Sequence, residues 1–265
     1  MNSDLSVLPV KKPEEKPDNL NAILPSHPFL MMLCAPPKAG KSNLVANLLA
    51  NPNFYYNGPP DNPSYFHEIY YLSPTSKFDL TTKLYLSKLD NVIQIDEPAD
   101  LENADVILAE ILQRQKEWTE DSGEERKKVL VVLDDCVGIM DKIKSLPNIV
   151  TRYRHYFTSI IVTTQSYKRV PLTIRNCITT LIFFNLMSQK EFIKLYEEHG
   201  QAIPNYWEYL GLLDKRFQFL YYHLERQEVY YNFQQMLWSK DTYLDGKDPL
   251  KELGLGGSES DESDD

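Results

Sequence analysis

Three stretches of the chain end an apolar run in residues that could handle phosphate. The first is FLMMLCAPPKAGKS, residues 29–42. Its apolar run, Phe29 to Cys34, enters a short loop that closes on Gly40-Lys41-Ser42, and a helical pattern runs from Asn43 to Ala50. Strand, loop and helix in that order is the context of a phosphate-binding loop, or P-loop. The candidate cradle is Ala35, Pro36, Pro37, Lys38, Ala39, Gly40, Lys41, Ser42 and Asn43. Backbone N–H groups of such a loop, with the positive end of the following helix, surround a polyphosphate such as that of ATP. Lys41 would reach the β- and γ-phosphates, and the Ser42 hydroxyl would ligate Mg²⁺. Ala35 takes the place of the first glycine in G-x-x-x-x-G-K-[ST], and Pro36 and Pro37 stiffen the loop and remove two N–H donors.

The second stretch is VLVVLDDCVG, residues 129–138. An acid at the end of an apolar strand is where a nucleotide-hydrolysing sheet holds its magnesium. Asp134 would do so through water, and Asp135 would orient or deprotonate the attacking water. Solvated aspartates capping a strand end are the alternative, and it stays open for Asp135. The third stretch is SIIVTTQS, residues 159–166. Gln165 at its end could hydrogen-bond the γ-phosphate or the attacking water from a sensor strand lying between the other two. An ordinary turn after a strand would look similar. Arg152 and Arg154 precede this strand, and Lys168, Arg169 and Arg175 follow it. Arg154 or Arg175 could stabilise phosphoryl-transfer charge in a neighbouring subunit. All five could instead face DNA phosphates or solvent.

These residues need a sheet to hold them. The β-branched runs at 129–133, 159–164 and 178–184 have the composition of strands buried on both faces, hence of a parallel sheet covered by helices. Residues 68–73 and 92–95 read as further strands. Helical spacing recurs at 80–89, 105–118 and 189–199, with Ser188 as cap and Gly200 as stop, and a helix begins near Ser145 or Pro147. Residues 217–233 read as a β-hairpin turning at 224–227. The expected architecture is a three-layer α/β fold. Residues 1–26 form a flexible arm with a docking segment near Leu20 to Leu24. Residues 27–238 form the main domain, and 239–265 an extension with a disordered acidic tail.

With 42% hydrophobic residues, 265 residues suffice for one sizeable core. The net charge is −10, but half of it lies in the last eight residues, so the overall charge does not exclude a local basic surface for DNA. Cys34, Cys136 and Cys177 have no metal-ligand spacing and read as buried free thiols in a reducing compartment. The polar start and the lack of an apolar run near the roughly 20 residues needed to span a bilayer point to a soluble, intracellular protein without a membrane span.

Taken together, APPKAGKS, EIYYLSP, VLVVLDDC, RYRHYFTSIIVTTQSYKRVP, TIRN and TLIFF resemble the genome-packaging ATPases of poxviruses, other large DNA viruses, virophages and polinton-like elements, within the FtsK–HerA lineage. The resemblance covers roughly residues 27–235. It implies a P-loop NTPase core with the sensor strand inserted between the P-loop strand and the acidic strand. It also implies a homo-oligomeric ring, a pentamer or hexamer, that uses ATP and Mg²⁺ to drive double-stranded DNA into a capsid, against a capsid or portal partner, in the host cytoplasm or nucleus where virions assemble. Residue by residue it makes Lys41 and Ser42 the phosphate and magnesium ligands, Asp134 the magnesium acid, Asp135 the catalytic acid where many relatives have Glu, and Gln165 the sensor. A small-molecule or nucleotide kinase and a weakly hydrolysing NTP-binding scaffold are the two other classes compatible with the motifs.

Overall fold

Runs of Val, Ile and Leu bounded by turn residues become the centre of one sheet, because only a doubly covered strand can bury apolar side chains on both sides. The computed structural model describes residues 20–56, 64–75, 79–118, 126–185 and 188–241. Its strands are β1 (Leu30–Cys34), β2 (Glu68–Leu72), β3 (Val92–Ile95), β4 (Val129–Asp134), β5 (Thr158–Thr164), β6 (Thr180–Phe184), β7 (Phe219–His223), β8 (Glu228–Tyr231) and β9 (Gln235–Ser239). They form a single sheet in the order β3-β2-β4-β5-β1-β6-β7-β8-β9. The first six strands are mutually parallel, and β7, β8 and β9 add to the β6 edge antiparallel. The sensor strand β5 therefore sits between the P-loop strand β1 and the acidic strand β4, as the resemblance implied. The expected hairpin is real, at β7–β8, but it is two-thirds of a three-stranded unit. Gln235–Ser239 returns alongside β8 through a bulge at Val229/Tyr230 that its short, mixed sequence did not announce.

Alternate side chains of the central strands feed two cores. Leu30, Met32, Val131, Leu133, Ile160 and Val162 face one side. That side is covered by α4 (Ala104–Glu117), α6 (Leu146–Arg152), α7 (Leu172–Arg175), α8 (Gln189–Leu195) and α9 (Tyr206–Gly211). Met31, Leu33, Leu130, Val132 and Ile161 face the other, under α1 (Lys41–Ala50) and the aromatic residues Tyr55 and Phe66. Short helices α2 (Leu80–Leu84), α3 (Pro98–Glu102) and α5 (Val137–Met140) complete the connections. The helix expected to run from 189 to 199 leaves α-geometry after Leu195 and continues as a π-turn, Tyr196–Gly200.

Residues 20–26 are built into the body. Leu24 is buried, Tyr55 OH donates to the Pro25 carbonyl at 2.9 Å, Tyr221 OH donates to the Ile23 carbonyl at 2.8 Å, and Arg226 reaches the carbonyls of Ala22 and Leu24. The docking segment near Leu20 to Leu24 thus has a place in the α1-side core. The rest of the arm and the acidic tail lie outside the described residues. Among the described residues no helix is long and apolar enough to cross a membrane. Cys34 and Cys136 are buried, Cys177 is half-buried, and all three are free. Burial pushes the Cys34 thiol up to about 12, which makes it a packing residue.

One buried titratable group lies where β6 begins and β7 ends. His223, at the end of β7, is 2% exposed, and its Nδ1 accepts the Arg226 backbone N–H at 3.3 Å. Burial, reinforced by the Arg226 charge, lowers its pKa to about 4. The native state therefore holds the ring neutral, while the unfolded chain binds the proton near the ordinary value of about 6.5. The stabilisation is complete above about 6.5 and is lost as pH falls towards 4. Between pH 7 and pH 5 this group alone should remove about 2 kcal/mol of unfolding free energy. Denaturant titrations at the two pH values should show that loss in the wild type and a loss smaller by about that amount in His223→Gln. Equal pH sensitivity in both proteins would assign it elsewhere.

Candidate active site

The carboxyl ends of β1, β5 and β4 lie side by side, so residues far apart in sequence emerge on one edge of the sheet. Cys34 is opposite Thr164, and Asp134 is opposite Thr163. The ladder continues one residue beyond β1, with Ala35 N–H donating to the Thr164 carbonyl at 3.0 Å. Ala35 is buried in the α1-side core and its backbone is not in the left-handed region, so this position accommodates a methyl group where the motif has glycine. The loop turns at Pro36–Ala39, with Lys38 at φ 61° and Gly40 at φ 103°. Gly40 is the position that needs its glycine. A side chain there would be strained by the backbone, and a Cβ would lie 2.8 Å from the Phe217 ring.

Helix α1 begins at Lys41, whose side chain is nearly buried and reaches across the strand ends. Its Nζ lies 2.5 Å from Asp135 Oδ1. Gln165 Nε2 donates to Asp135 Oδ2 at 3.4 Å, and the Asp135 N–H donates to Thr163 Oγ1 at 3.1 Å. Asp135 adopts φ 53°, a conformation Asp tolerates better than most residues, and this turn at the end of β4 carries the ion pair to Lys41. Lys41, Asp135 and Gln165 thus form one cluster.

Asp134 is in a different environment. It is only 3% exposed and accepts three hydroxyls: Thr163 at 2.5 Å on Oδ1, and Tyr71 at 2.9 Å and Ser73 at 3.2 Å on Oδ2. Burial raises its pKa, and the hydrogen bonds from Thr163 and Tyr71 oppose that rise. With both oxygens already serving as acceptors, Asp134 is suited to hold a metal through water. Among the described residues no group of three His, Cys, Asp or Glu side chains could cage a metal. That donor set fits Mg²⁺, which keeps several waters and takes the rest of its ligands from substrate phosphates. Ser42, half-buried in the first turn of α1, would supply the hydroxyl.

The edge therefore combines a loop of turned backbone, a helix N-terminus, one lysine, one buried and one accessible carboxylate, and an amide. That set can bind a polyphosphate and place a water against it. Residues 23–197 of the sequence match the family described as Poxvirus A32 protein. The chain belongs to the poxvirus A32 family. No curated protein sequence matches it. In fold, this A32-family chain is similar to B204, the DNA-packaging ATPase from Sulfolobus turreted icosahedral virus, at 15% identity and a TM-score of 0.51, over 78% of this chain and 98% of that one. It is similar also to the pCW3 conjugation coupling protein TcpA, at 16% identity and a TM-score of 0.54 over 86% of this chain and 65% of that one. The ATPase 2 and 3 region of EssC from Geobacillus thermodenitrificans matches at 13% identity and a TM-score of 0.56, over 78% of this chain and 39% of that one. At such identities the likeness is one of fold.

The two arginines of this A32-family chain that the sequence put forward, Arg154 and Arg175, make their ion pairs outside this cluster. Arg154 precedes β5, at the opposite edge of the sheet from Gln165, roughly 23 Å away along seven extended residues. Its side chain is 61% exposed and pairs with Glu225. Arg175, at the end of α7, is 11% exposed and pairs with Glu198, which also accepts the Tyr167 hydroxyl. The basic residues that cluster in sequence are thus divided: Arg152 and Arg154 at one end of β5, Lys168 and Arg169 at the other. The turn carrying Lys168 and Arg169 is anchored by Glu191, which accepts Ser166 Oγ at 2.8 Å and the Lys168 N–H at 3.2 Å. Sequence reasoning missed Tyr71 and Ser73, which become site residues only because β2 lies beside β4, and Arg216, whose Nε and Nη2 donate to the Lys38 carbonyl at 3.0 and 2.7 Å. The polar ending of EIYYLSP was the only sequence signal for any of them.

Proposed function

We propose that this chain is an ATP-hydrolysing motor that moves double-stranded DNA into a viral capsid, working as a homo-oligomeric ring with Mg²⁺. The observation that carries the reading is the convergence of Lys41, Asp135 and Gln165 at three adjacent strand ends, beside the buried Asp134. Membership of the A32 family and the likeness of fold to a viral packaging ATPase support it.

In this reading the loop amides and the start of α1 hold the phosphates. Lys41 exchanges its ion pair with Asp135 for the β- and γ-phosphates as nucleotide enters. Magnesium, held through Ser42 and the waters on Asp134, would neutralise charge on the β- and γ-oxygens. Released from Lys41, Asp135 accepts a hydrogen bond from a water, and Gln165 fixes that water or a γ-oxygen. The water oxygen bonds to the γ-phosphorus, the bond from that phosphorus to the β–γ bridging oxygen breaks, and ADP departs with the electron pair. The water's proton passes to Asp135 and then to solvent. The exposed Arg154, and Arg175 once freed from Glu198, are the candidates to act on a neighbouring subunit's phosphates. Lys168 and Arg169 lie three and four residues beyond Gln165, where a DNA contact could respond to nucleotide state.

The test measures ATP turnover with and without double-stranded DNA alongside oligomeric mass. Stimulated turnover in a five- or six-membered assembly is expected. An assembled protein that binds ATP but neither binds DNA nor turns over faster with it would overturn the motor reading.

A further inference from the structure

The cluster at the strand ends fixes which way a bound nucleotide must lie. Asp135 and Gln165, the groups suited to the terminal phosphate, lie on the β4/β5 side of β1. The nucleoside must leave the loop on the other side, towards β6 and β7. There the chain forms a cleft of about 470 Å³, within the size range of small-ligand pockets. Its walls include Pro36, Ala39, Phe184, Asn185, Arg216 and Phe217.

Phe217 is the unusual member. A phenylalanine normally hides its ring, yet this one is 57% exposed. Its backbone is at φ 72°, a region that bulky residues avoid and that is held only where the surroundings impose it. The surroundings do impose it. The Arg216 guanidinium lies 4.7 Å from the ring centroid while gripping the Lys38 carbonyl of the phosphate loop, and the ring packs over the bare face of Gly40. Burial in the core does not account for a strained, exposed ring fixed at the mouth of a cleft. A flat ligand lying against it does.

We propose that Phe217 is the stacking platform for the nucleobase and that it favours purines over pyrimidines. The inference rests on the nucleotide-binding reading above and adds the residue that sets base preference. Every base has a π-face, and the larger purine face overlaps an aromatic ring more fully. Removing one base–aromatic stack costs enough to weaken binding about ten-fold or more.

Calorimetry on the full chain, with ATP, CTP and inorganic tripolyphosphate as separate ligands, tests this. Wild type should bind ATP more tightly than CTP. Phe217→Ala should bind ATP about ten-fold more weakly and lose the preference over CTP, with tripolyphosphate binding within about two-fold of wild type. Phe217→Trp should restore ATP affinity. Lys41→Ala serves as the control on the phosphate site and should lose all three ligands. If Phe217→Ala binds ATP as wild type does while Lys41→Ala loses it, the platform is wrong and the phosphate site stands. If Phe217→Ala weakens tripolyphosphate as much as ATP, the residue supports the loop and does not read the base. If Lys41→Ala keeps all three ligands, the nucleotide site itself is misplaced.

Discussion

Replacing Asp135 by Asn is expected to lower ATP turnover by about 10²–10⁴-fold while ATP still binds. Asp135 is the one accessible carboxylate in the cluster, and it has two partners. Lys41 Nζ at 2.5 Å is the stronger, and Gln165 Nε2 at 3.4 Å the weaker. Without nucleotide, Asp135 satisfies a lysine that would otherwise be buried and unpaired. In the proposed mechanism the phosphates of bound nucleotide take over that lysine, and the carboxylate is left with a water to hold. The amide that Asp135→Asn introduces cannot take a proton, so the second task fails. Binding should be kept or even tightened, because the phosphates no longer compete with an internal anion for Lys41. Lys41→Ala separates the tasks in the opposite sense, losing binding first. Measuring turnover and ATP affinity on both variants distinguishes a motor from a nucleotide-binding scaffold. If Asp135→Asn turns over at the wild-type rate, Asp135 is only the resting partner of Lys41.

Much of this arrangement was legible in the sequence because doubly buried strands announce themselves. Phe29 to Cys34, Val129 to Leu133 and Ile160 to Val162 are too continuously apolar for half-exposed elements, and a polar residue just beyond such a run emerges at a sheet edge. Lys41, Asp134, Asp135 and Gln165 therefore stand out in the sequence alone. Residues that matter through sheet adjacency do not. Tyr71 sits in one of four adjacent tyrosine pairs, 55/56, 70/71, 221/222 and 230/231, and nothing in that pattern singles out its hydroxyl. Its hydroxyl meets Asp134 because β2 pairs with β4 in the register Leu72 to Leu133, which depends on long-range order. Arg216 lies 178 residues from the loop carbonyl it grips, with Phe217 beside it, and nothing in their local pattern points to that loop. The arginine pairs were hidden for the same reason. Glu198 reaches Arg175 from the π-turn after α8, where the sequence suggested a plain helix. Strand β9 was missed because a short run with exposed Met236 and buried Trp238 carries little alternation to read.

Asp134 carries the other large expected effect, and two substitutions should part its structural role from its chemical one. Its three hydroxyl partners Tyr71, Ser73 and Thr163 are themselves buried. Asp134→Ala removes this acceptor from all three at once, and each lost buried hydrogen bond costs about 1–3 kcal/mol, less when another partner, water or rotation relieves it. A net loss of about 3 kcal/mol is expected, read as a fall in Tm of roughly 6–12 °C. Asp134→Asn is nearly isosteric and keeps one acceptor oxygen for Thr163. The Tyr71 and Ser73 hydroxyls can turn to accept from its amide N–H groups. It also removes a charge that burial penalises, so its stability should equal or exceed that of the wild type. Its activity should not follow. An amide cannot supply the negative charge that holds the waters of a magnesium ion, and hydrolysis should fall by at least about 10²-fold. Thermal melts and turnover measured on both variants give the contrast: Asp134→Ala unstable and inactive, Asp134→Asn stable and inactive. If Asp134→Asn is as unstable as Asp134→Ala, the charge itself holds the strand ends together. If Asp134→Asn hydrolyses ATP at the wild-type rate, Asp134 is a structural acceptor and the metal is held by other groups. A carboxylate that burial pushes towards its neutral form, retained beside a lysine and the turned loop, is what the proposed magnesium role requires.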